Sequence, residues 1–454
     1  MSQKQIFEGK WWVRGREQPP LFGVLTFDPA RELKLVVKNL TDLTLDEVVS
    51  NSTGAQMSRL SPVLHGEDKH GTAISLFACG TDSHTVSSGL ETLEISALAG
   101  LIGENVPDWQ SAKFLTADVH FTLLHEWLNE SLVEYNAAID GRPAVALTPS
   151  HEAWVYKLGD SERLRFDRDI STHQSVSEYK WNLNHGAWFH FPSEQSLSVI
   201  YNERITPVRQ LLSLLIGERV YIERVDLYHT DPYVPAGKPA SKIQLLRPNR
   251  GLRSAPRELH AFRMIAPFTE LELTFQQILQ RWFTVYQRME PVIDLYFAVV
   301  FNKRLPVTTQ FLELSQAFEA YHSRSGRFES AEKKTLAQRL DDIFRLHSNE
   351  AAELLSNIPD AAARIRHTRN YLTHYDEKIH SKTFSERELS QVTFWLLPFL
   401  QICLLKELEI TGAPVRRIVH RYKDVHFIDL DSVSDDSPVP SEIKPSAEGQ
   451  TTSQ

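Results

Sequence analysis

The residues best suited to chemistry lie late in the chain, in the stretch from Ile365 to His374. On a helix of about 100° per residue, one side of this stretch carries Arg366, Arg369, Asn370, Thr373 and His374. The opposite side carries Ile365, Thr368, Tyr371, Leu372 and Tyr375. We therefore predict an amphipathic helix that packs by its second side and presents two guanidinium groups, an amide and an imidazole to solvent.

These side chains suit acid–base chemistry on a phosphate. Histidine titrates near neutral pH and serves as a general base or acid, while arginine stays charged and offers a planar fork to phosphate oxygens. The spacing alone is a weak signal, because it recurs at Arg168/His173 and Arg224/His229. Arg369 and His374 differ from those pairs in lying on an amphipathic helix, with Asn370 directly after the arginine.

Long helical segments surround this stretch and predict an all-α bundle of about five or six helices over residues 264–426. Apolar residues recur three and four apart in Leu271–Gln287, Pro291–Phe301, Val307–Ser323, Ala331–Leu346, Asp360–His374 and Ser385–Leu408. Ser385 and Glu388 have the spacing of a capping box. The most apolar run, Val392–Leu405, is too short to span a bilayer, so we expect a buried core helix and no membrane contact.

The first half of the chain, residues 1–237, is predicted to be β-rich. Short runs of branched and aromatic residues, separated by Gly, Pro, Asp and Asn, favour a sandwich-like antiparallel sheet. A helix is predicted within Phe121–Leu132 and another over Pro207–Ile216. Residues 238–263 are basic and interrupted by prolines, which indicates a linker, and residues 427–454 are predicted to be a disordered acidic tail. The predicted fold class is therefore α+β and multidomain.

Charge and composition limit the possible functions. Lysine plus arginine number 49 and aspartate plus glutamate 58, for a net charge of -9. Residues 261–425 carry 22 basic and 20 acidic side chains, or +2, so a nucleic-acid surface would have to be local to this helical part. The two cysteines are far apart, and no P-loop, GxSxG, HExxH or GxGxxG signature stands out. We expect no metal and no cofactor. The first residues have no apolar signal-peptide region, so a cytoplasmic protein is expected.

The motifs resemble a known family. Arg369-Asn370-x-x-x-His374 resembles the R-[polar]-x3-H motif of HEPN ribonucleases, and Phe311–Arg324 resembles the L-x-x-A-x-E-x-Y-H helix of ApeA-like HEPN domains. The N-terminal segments EGKWWVRG, GVLTFDP and FTLLHEWL are similar to the ApeA N-terminal domain. The resemblance extends over almost the whole chain except the tail.

This resemblance implies a metal-independent endoribonuclease, often a toxin of antiphage defence by abortive infection, that acts as a homodimer on RNA. Cleavage by the 2′-OH of the RNA would leave a 2′,3′-cyclic phosphate and a 5′-OH. His374 would act as base or acid and Arg369 would stabilise the phosphorane. Asn370 would donate to the phosphate or hold His374 in one tautomer. One chain supplies one such histidine, so a two-fold pairing of this helix would build a composite site.

Other interpretations remain open. Arg366 is as well explained by an ordinary surface arginine as by an RNA contact. Glu319, Tyr321 and His322 are expected to pack and hydrogen-bond rather than to catalyse. The alternative function is a non-catalytic HEPN module that binds RNA or protein, with an N-terminal receptor domain. A carbohydrate- or protein-binding receptor centred on the β-rich half is a further possibility. If the protein is a ribonuclease toxin, the β-rich half is instead expected to be a regulatory or sensor domain that meets a phage-derived trigger.

Overall fold

The computed structural model describes residues 4–13, 20–38, 63–87, 90–130, 133–139, 142–147, 153–174, 179–233, 241–255, 258–302, 304–328 and 334–423. The predicted acidic tail, residues 427–454, lies outside these residues. Within these residues all strands end by Leu246 and the long helices follow, which confirms the α+β division predicted from the sequence.

Fourteen strands form in the described residues up to Leu246, where β-branched and aromatic residues alternate with polar ones. They are β1 Gln5–Val13, β2 Leu21–Asp28, β3 Glu32–Lys38, β4 Leu64–Asp68, β5 Ala73–Ser87, β6 Leu90–Ile102, β7 Lys113–Phe121, β8 Val133–Ile139, β9 Arg142–Leu147, β10 Trp154–Lys157, β11 Arg163–Gln174, β12 Tyr179–Ser196, β13 Ile222–Tyr228 and β14 Ile243–Leu246.

Strands β1 to β6 close into an antiparallel barrel. Each strand pairs with two others, in the circular order β6-β3-β2-β1-β4-β5, and β5 returns to β6. Trp11 is fully buried in the centre of the barrel. A Cβ on Gly66 would lie 2.4 Å from the Trp11 ring, so only glycine lets strand β4 pass this indole. The strands therefore form a barrel where the sequence predicted a sandwich-like sheet.

The remaining six strands of the large sheet open away from the barrel in the order β14-β13-β7-β12-β11-β10. Strand β14 pairs with β6 of the barrel on one side and with β13 on the other. It lies inside residues 238–263, which the sequence predicted to be a linker. That prediction is wrong for the four residues of the strand. The strand has only four residues, too few for a period of two to stand out.

Two helices interrupt the strands. Helix α1, Leu124–Leu128, is shorter than predicted because Leu123 and Asn129 are both left-handed and end it on either side. Phe121 belongs to strand β7 instead. Helix α2, Thr206–Ile216, confirms the prediction over Pro207–Ile216, and a seven-residue π-helix, Val199–Ile205, leads directly into it.

Eight helices, more than the five or six predicted, lie in the described residues of the second half. They are α3 Phe268–Leu271, α4 Phe275–Phe301, α5 Val307–Arg324, α6 Leu336–Leu346, α7 Ser348–Leu355, α8 Ala361–His374, α9 Glu386–Glu407 and α10 Ala413–Lys423. Helix α4 joins two predicted segments across a kink at Met289, where Pro291 disrupts the backbone hydrogen bonding of the helix.

Helix α9 forms the centre of the bundle, as predicted for Val392–Leu405. It is long and apolar enough to cross a membrane, but 72% of its most apolar window is buried within the protein. The bundle and the open sheet share one apolar core. Within it, Trp127 donates its indole N–H to the Ala266 carbonyl (2.9 Å), and Trp282 donates to the Pro207 carbonyl (2.9 Å). Sheet and helices are thus held together by both packing and hydrogen bonds.

Candidate functional site

Helix α8 carries the predicted polar cluster on its outer side. Ile365 is fully buried and Thr368 is 2% exposed, so this face packs in the bundle as predicted. The Thr368 hydroxyl also accepts the backbone N–H of Phe384 (2.9 Å), which attaches the segment before α9 to the helix. The opposite face holds Arg369 and Asn370, both half-buried, and the exposed His374.

The helix ends at His374. Tyr375 adopts a left-handed conformation at the C-cap (φ 52°) and turns the chain away, with its backbone N–H on the Tyr371 carbonyl. Its side chain is 70% exposed, so the prediction that Tyr375 belongs to the packed face is wrong. The helical wheel fails here because it extends one residue beyond the end of the helix. His374 is left at an open helix terminus.

Arg369 is fixed by two contacts. One guanidinium nitrogen lies 3.6 Å from a carboxylate oxygen of Glu319, on helix α5, and the other donates to the amide oxygen of Asn370 (3.3 Å). About a third of each side chain of the Arg369–Glu319 pair is exposed, at 35% and 33%. The guanidinium is therefore oriented by the bundle but still accessible to a ligand from solvent.

Glu319 is the residue of this site whose contact with Arg369 the sequence did not predict. Its other carboxylate oxygen lies 3.6 Å from Arg339 on helix α6, so it stands between two arginines. The sequence predicted a hydrogen-bonding role for Glu319, without a partner. No local signal identifies the partner, because Glu319 and Arg369 lie on separate helices; the only indication is that both belong to motifs of the same family.

Asn370 supports the arginine rather than the histidine. Its amide oxygen accepts from Arg369, and the described residues show no hydrogen bond between Asn370 and His374. The amide N–H groups of Asn370 are thus free of any such bond to the imidazole and can donate to a phosphate oxygen. Of the two predicted roles for Asn370, this geometry favours the contact with phosphate.

Arg366 and His367 form a separate pair on the same helix. The Arg366 guanidinium donates to His367 Nε2 (2.9 Å). Burial lowers the pKa of His367, and the neighbouring charge of Arg366 lowers it further. Because the Nε2 lone pair is already occupied by the Arg366 contact, His367 is poorly placed to accept a proton from a ligand.

The start of helix α8 is tied to helix α9. Arg364 donates to Glu388 (2.7 Å) and lies over the ring of Phe384, 4.4 Å from its centre. The Arg364 contact, supported by the capping hydrogen bonds from Ser385, lowers the pKa of Glu388 to about 2. The capping box predicted at Ser385 and Glu388 is confirmed, and its glutamate also anchors the site helix.

A buried carboxylate locks the helices behind the site. Glu407 at the end of α9 is 3% exposed and accepts from Arg288 (2.7 Å), Arg327 (2.6 Å) and the Tyr321 hydroxyl (3.1 Å). On the same helix as Tyr321, the buried His322 contacts Asp342 (3.0 Å). These contacts are structural, as predicted for Tyr321 and His322, and they hold helix α5, which carries Glu319.

The described residues contain no group of three or more His, Cys, Asp or Glu side chains placed to hold a metal ion. The side chains that helix α8 gathers at this site are an arginine, an amide and an imidazole. Such a set can bind a phosphate oxygen and move a proton at the same location.

Comparison with family models gives two matches. Residues 6–282, more than half of the chain, match the model for ApeA N-terminal domain 1, and residues 312–413 match the model for Apea-like HEPN. The second match includes helix α8 and most of helix α5, with Glu319 and Arg369 both inside it. No match was found among the curated proteins or among the solved structures. The chain therefore belongs to the ApeA-like HEPN family, whose members are HEPN nuclease-type defence proteins.

Proposed function

We propose that this protein is a metal-independent endoribonuclease that acts as a toxin in antiphage defence. The observation that carries the proposal is the placement of Arg369, Asn370 and His374 together on the accessible end of helix α8. Arg369 is oriented by Glu319 from a second helix.

The reaction needs no external nucleophile. A base removes the proton of a ribose 2′-OH, and the oxygen attacks the adjacent phosphorus. The 5′-oxygen then leaves and takes a proton from an acid, which gives a 2′,3′-cyclic phosphate and a 5′-OH end. His374 acts as base or acid. Arg369 and the Asn370 amide donate to the phosphoryl oxygens, where negative charge accumulates in the transition state.

A second protomer completes the site. Base and acid are two roles, and each chain offers one histidine beside Arg369. In a two-fold homodimer through the helical half, both copies of helix α8 meet across the axis and bring two Arg/Asn/His sets together. The exposed polar side of α8 is the surface that would line such a cleft.

Cell death would follow from cleavage of host or phage RNA in the cytoplasm, which is abortive infection. A toxin of this kind must stay inactive until infection. We assign its inhibition to the N-terminal half, which would act as a receptor for a phage-derived trigger. The shared core of sheet and bundle supports this assignment, because a change in the sheet would reach the helices through direct packing.

Cleavage of total RNA in excess EDTA tests the chemistry. Wild-type protein should give discrete cuts with 2′,3′-cyclic phosphate ends. His374→Ala should lose cleavage, by roughly two to four orders of magnitude, as expected for a general acid or base. His420→Ala is the matched control, since His420 is an exposed histidine on helix α10. RNA binding without any cutting would instead support a non-catalytic module.

Mixing two inactive variants tests the composite site. Arg369→Ala and His374→Ala homodimers should each be inactive. A mixed dimer that places the mutations in different protomers keeps one Arg369 and one His374 in the same cleft. If the site is shared, its activity should exceed that of either homodimer but stay well below wild type, because one of the two histidines is absent. Equal loss in the mixture and in the single variants would contradict a shared site while leaving the role of His374 intact.

A further inference from the structure

A cleft far along the chain from helix α8 has the features of an anion site. It has a volume of about 620 Å³ and opens between strands β13 and β14, the first residues of strand β1, and the π-helix and helix α2. The residues that line it include the polar side chains Asn184, Gln244 and Asn249. It shares no lining residue with helix α8, so it is a separate site from the proposed nuclease centre.

Positive charge dominates this cleft. Four cationic side chains line it, namely Lys4, Arg209, Arg224 and Arg247, against the single carboxylate of Glu223. Arg224 is neutralised by the buried Asp226, whose carboxylate lies 3.0 Å away. The remaining three cations give the cleft a net positive charge.

Two of these arginines are held against aromatic rings rather than carboxylates. Arg247 lies over Tyr201, 4.2 Å from the ring centre, and Arg209 lies over Phe301 at 4.5 Å. Within the residues that the structure describes, neither forms an ion pair, and the buried Nε of Arg209 has no hydrogen-bond partner. Burial lowers the pKa of Arg209, and the nearby charge of Arg247 adds to this effect.

Arg209 is half-buried and Arg247 is exposed, and their guanidinium charges repel each other. An anion that contacts both groups would offset this repulsion and the cost of burying Arg209. A phosphate matches the requirement, because its oxygens accept bidentate hydrogen bonds from arginine. The volume is within the range of small-molecule sites, roughly 300–1,000 Å³, and leaves room for more than a phosphate alone. The amide side chains at the rim suit the edge of a base or a sugar.

We propose that this cleft binds a small phosphate-bearing ligand of nucleotide size, with Arg209 and Arg247 on the phosphate. The ligand would also reach the helical half. A neighbouring cleft of about 410 Å³ shares Arg209 and Asn249 and is lined by Phe297 and Phe301 of helix α4. A phosphate on Arg209 therefore acts next to the contact between the sheet and the first long helix of the bundle.

Isothermal titration calorimetry of the full chain tests this site, because it measures ligand binding and does not depend on RNA cleavage. The probes are inorganic phosphate, pyrophosphate, ATP and adenosine. Pyrophosphate and ATP should bind, ATP more tightly because of its nucleoside, and adenosine should not. If pyrophosphate binds as tightly as ATP, the ligand is a free polyphosphate rather than a nucleotide. Absence of binding by all phosphate probes at millimolar concentration overturns the proposal.

Charge-neutral variants identify the cleft as the binding site. Arg247→Gln should raise the Kd about tenfold or more, while Arg416→Gln, an exposed arginine on helix α10, should leave it unchanged. Lys4→Gln, at an exposed position, should weaken binding less and serves as a second variant if Arg247→Gln does not fold. Unchanged affinity in both cleft variants, or binding of a long RNA but of no small ligand, overturns the proposal.

Discussion

Replacing Glu407 by alanine should destabilise the helical bundle by about 2–4 kcal/mol. Glu407 is 3% exposed, and it is the acceptor for Tyr321, Arg288 and Arg327. The two arginines are 45% and 40% exposed, so water can replace the carboxylate on their outer nitrogens. The Tyr321 hydroxyl is buried and keeps only a long hydrogen bond to His347 (3.4 Å), so most of the loss comes from this weakly paired donor and from the cavity.

A double-mutant cycle separates these contributions. Tyr321→Phe alone should cost about 1 kcal/mol, the net value of one hydrogen bond. In the double variant the Tyr321 hydroxyl is absent. Replacing Glu407 by alanine therefore no longer removes the partner of a buried donor. The combined loss should therefore be smaller than the sum of the single losses, by about 1–2 kcal/mol.

Native-state hydrogen exchange measures these losses as free energies of opening for the amides of helices α4, α5 and α9. This method resolves the bundle from the sheet, which a single unfolding curve of a chain this long does not. Additive single effects, or a loss below about 1 kcal/mol for Glu407→Ala, would refute the view that the Tyr321–Glu407 contact holds helix α5 in place.

Three further predictions concern single groups. Glu319→Gln should lower kcat for RNA cleavage about tenfold, because Arg369 is no longer held in place. The free energy of unfolding should change by less than about 1 kcal/mol, because the ion pair is partly exposed. An unchanged kcat in steady-state kinetics would contradict the role of Glu319 in orienting Arg369. Burial lowers the pKa of His347 to about 4, against 6.5 in the unfolded chain, so the unfolded state takes up a proton first as the pH falls. The free energy of unfolding should decline from pH 6.5 towards pH 4, by about 2 kcal/mol at pH 5. Urea unfolding at pH 7 and pH 5 measures this decline, which should be smaller in His347→Gln than in the wild type. Burial also raises the pKa of Cys79, to about 12, and that of Cys403, so a thiol reagent should label both only after unfolding; rapid labelling of the native protein would show that one of them is accessible.

The predicted site helix shows what local sequence can determine. The burial of Ile365 and Thr368 and the outward placement of Arg369 and His374 follow from a period of 3.6 residues, which depends only on neighbours along the chain. The capping box at Ser385 is similarly local. The predicted segment Asp360–His374 ends at the residue where the helix ends, but the helical wheel continued one residue further and placed Tyr375 on the packed face.

The barrel and the supports of the site depend on tertiary structure. Closure of the barrel requires β5 to pair with β6 and β1 with β4, and neither the pairing nor the register is contained in the alternation of a single strand. Strand β14 is defined by its two neighbours rather than by its own four residues. The ion pair of Glu319 with Arg369 and the burial of Glu407 join helices that are distant in sequence. Local periodicity therefore determined which side chains face outward, whereas the packing of distant elements decided which of them meet, because contact energies depend on neighbours in space rather than along the chain.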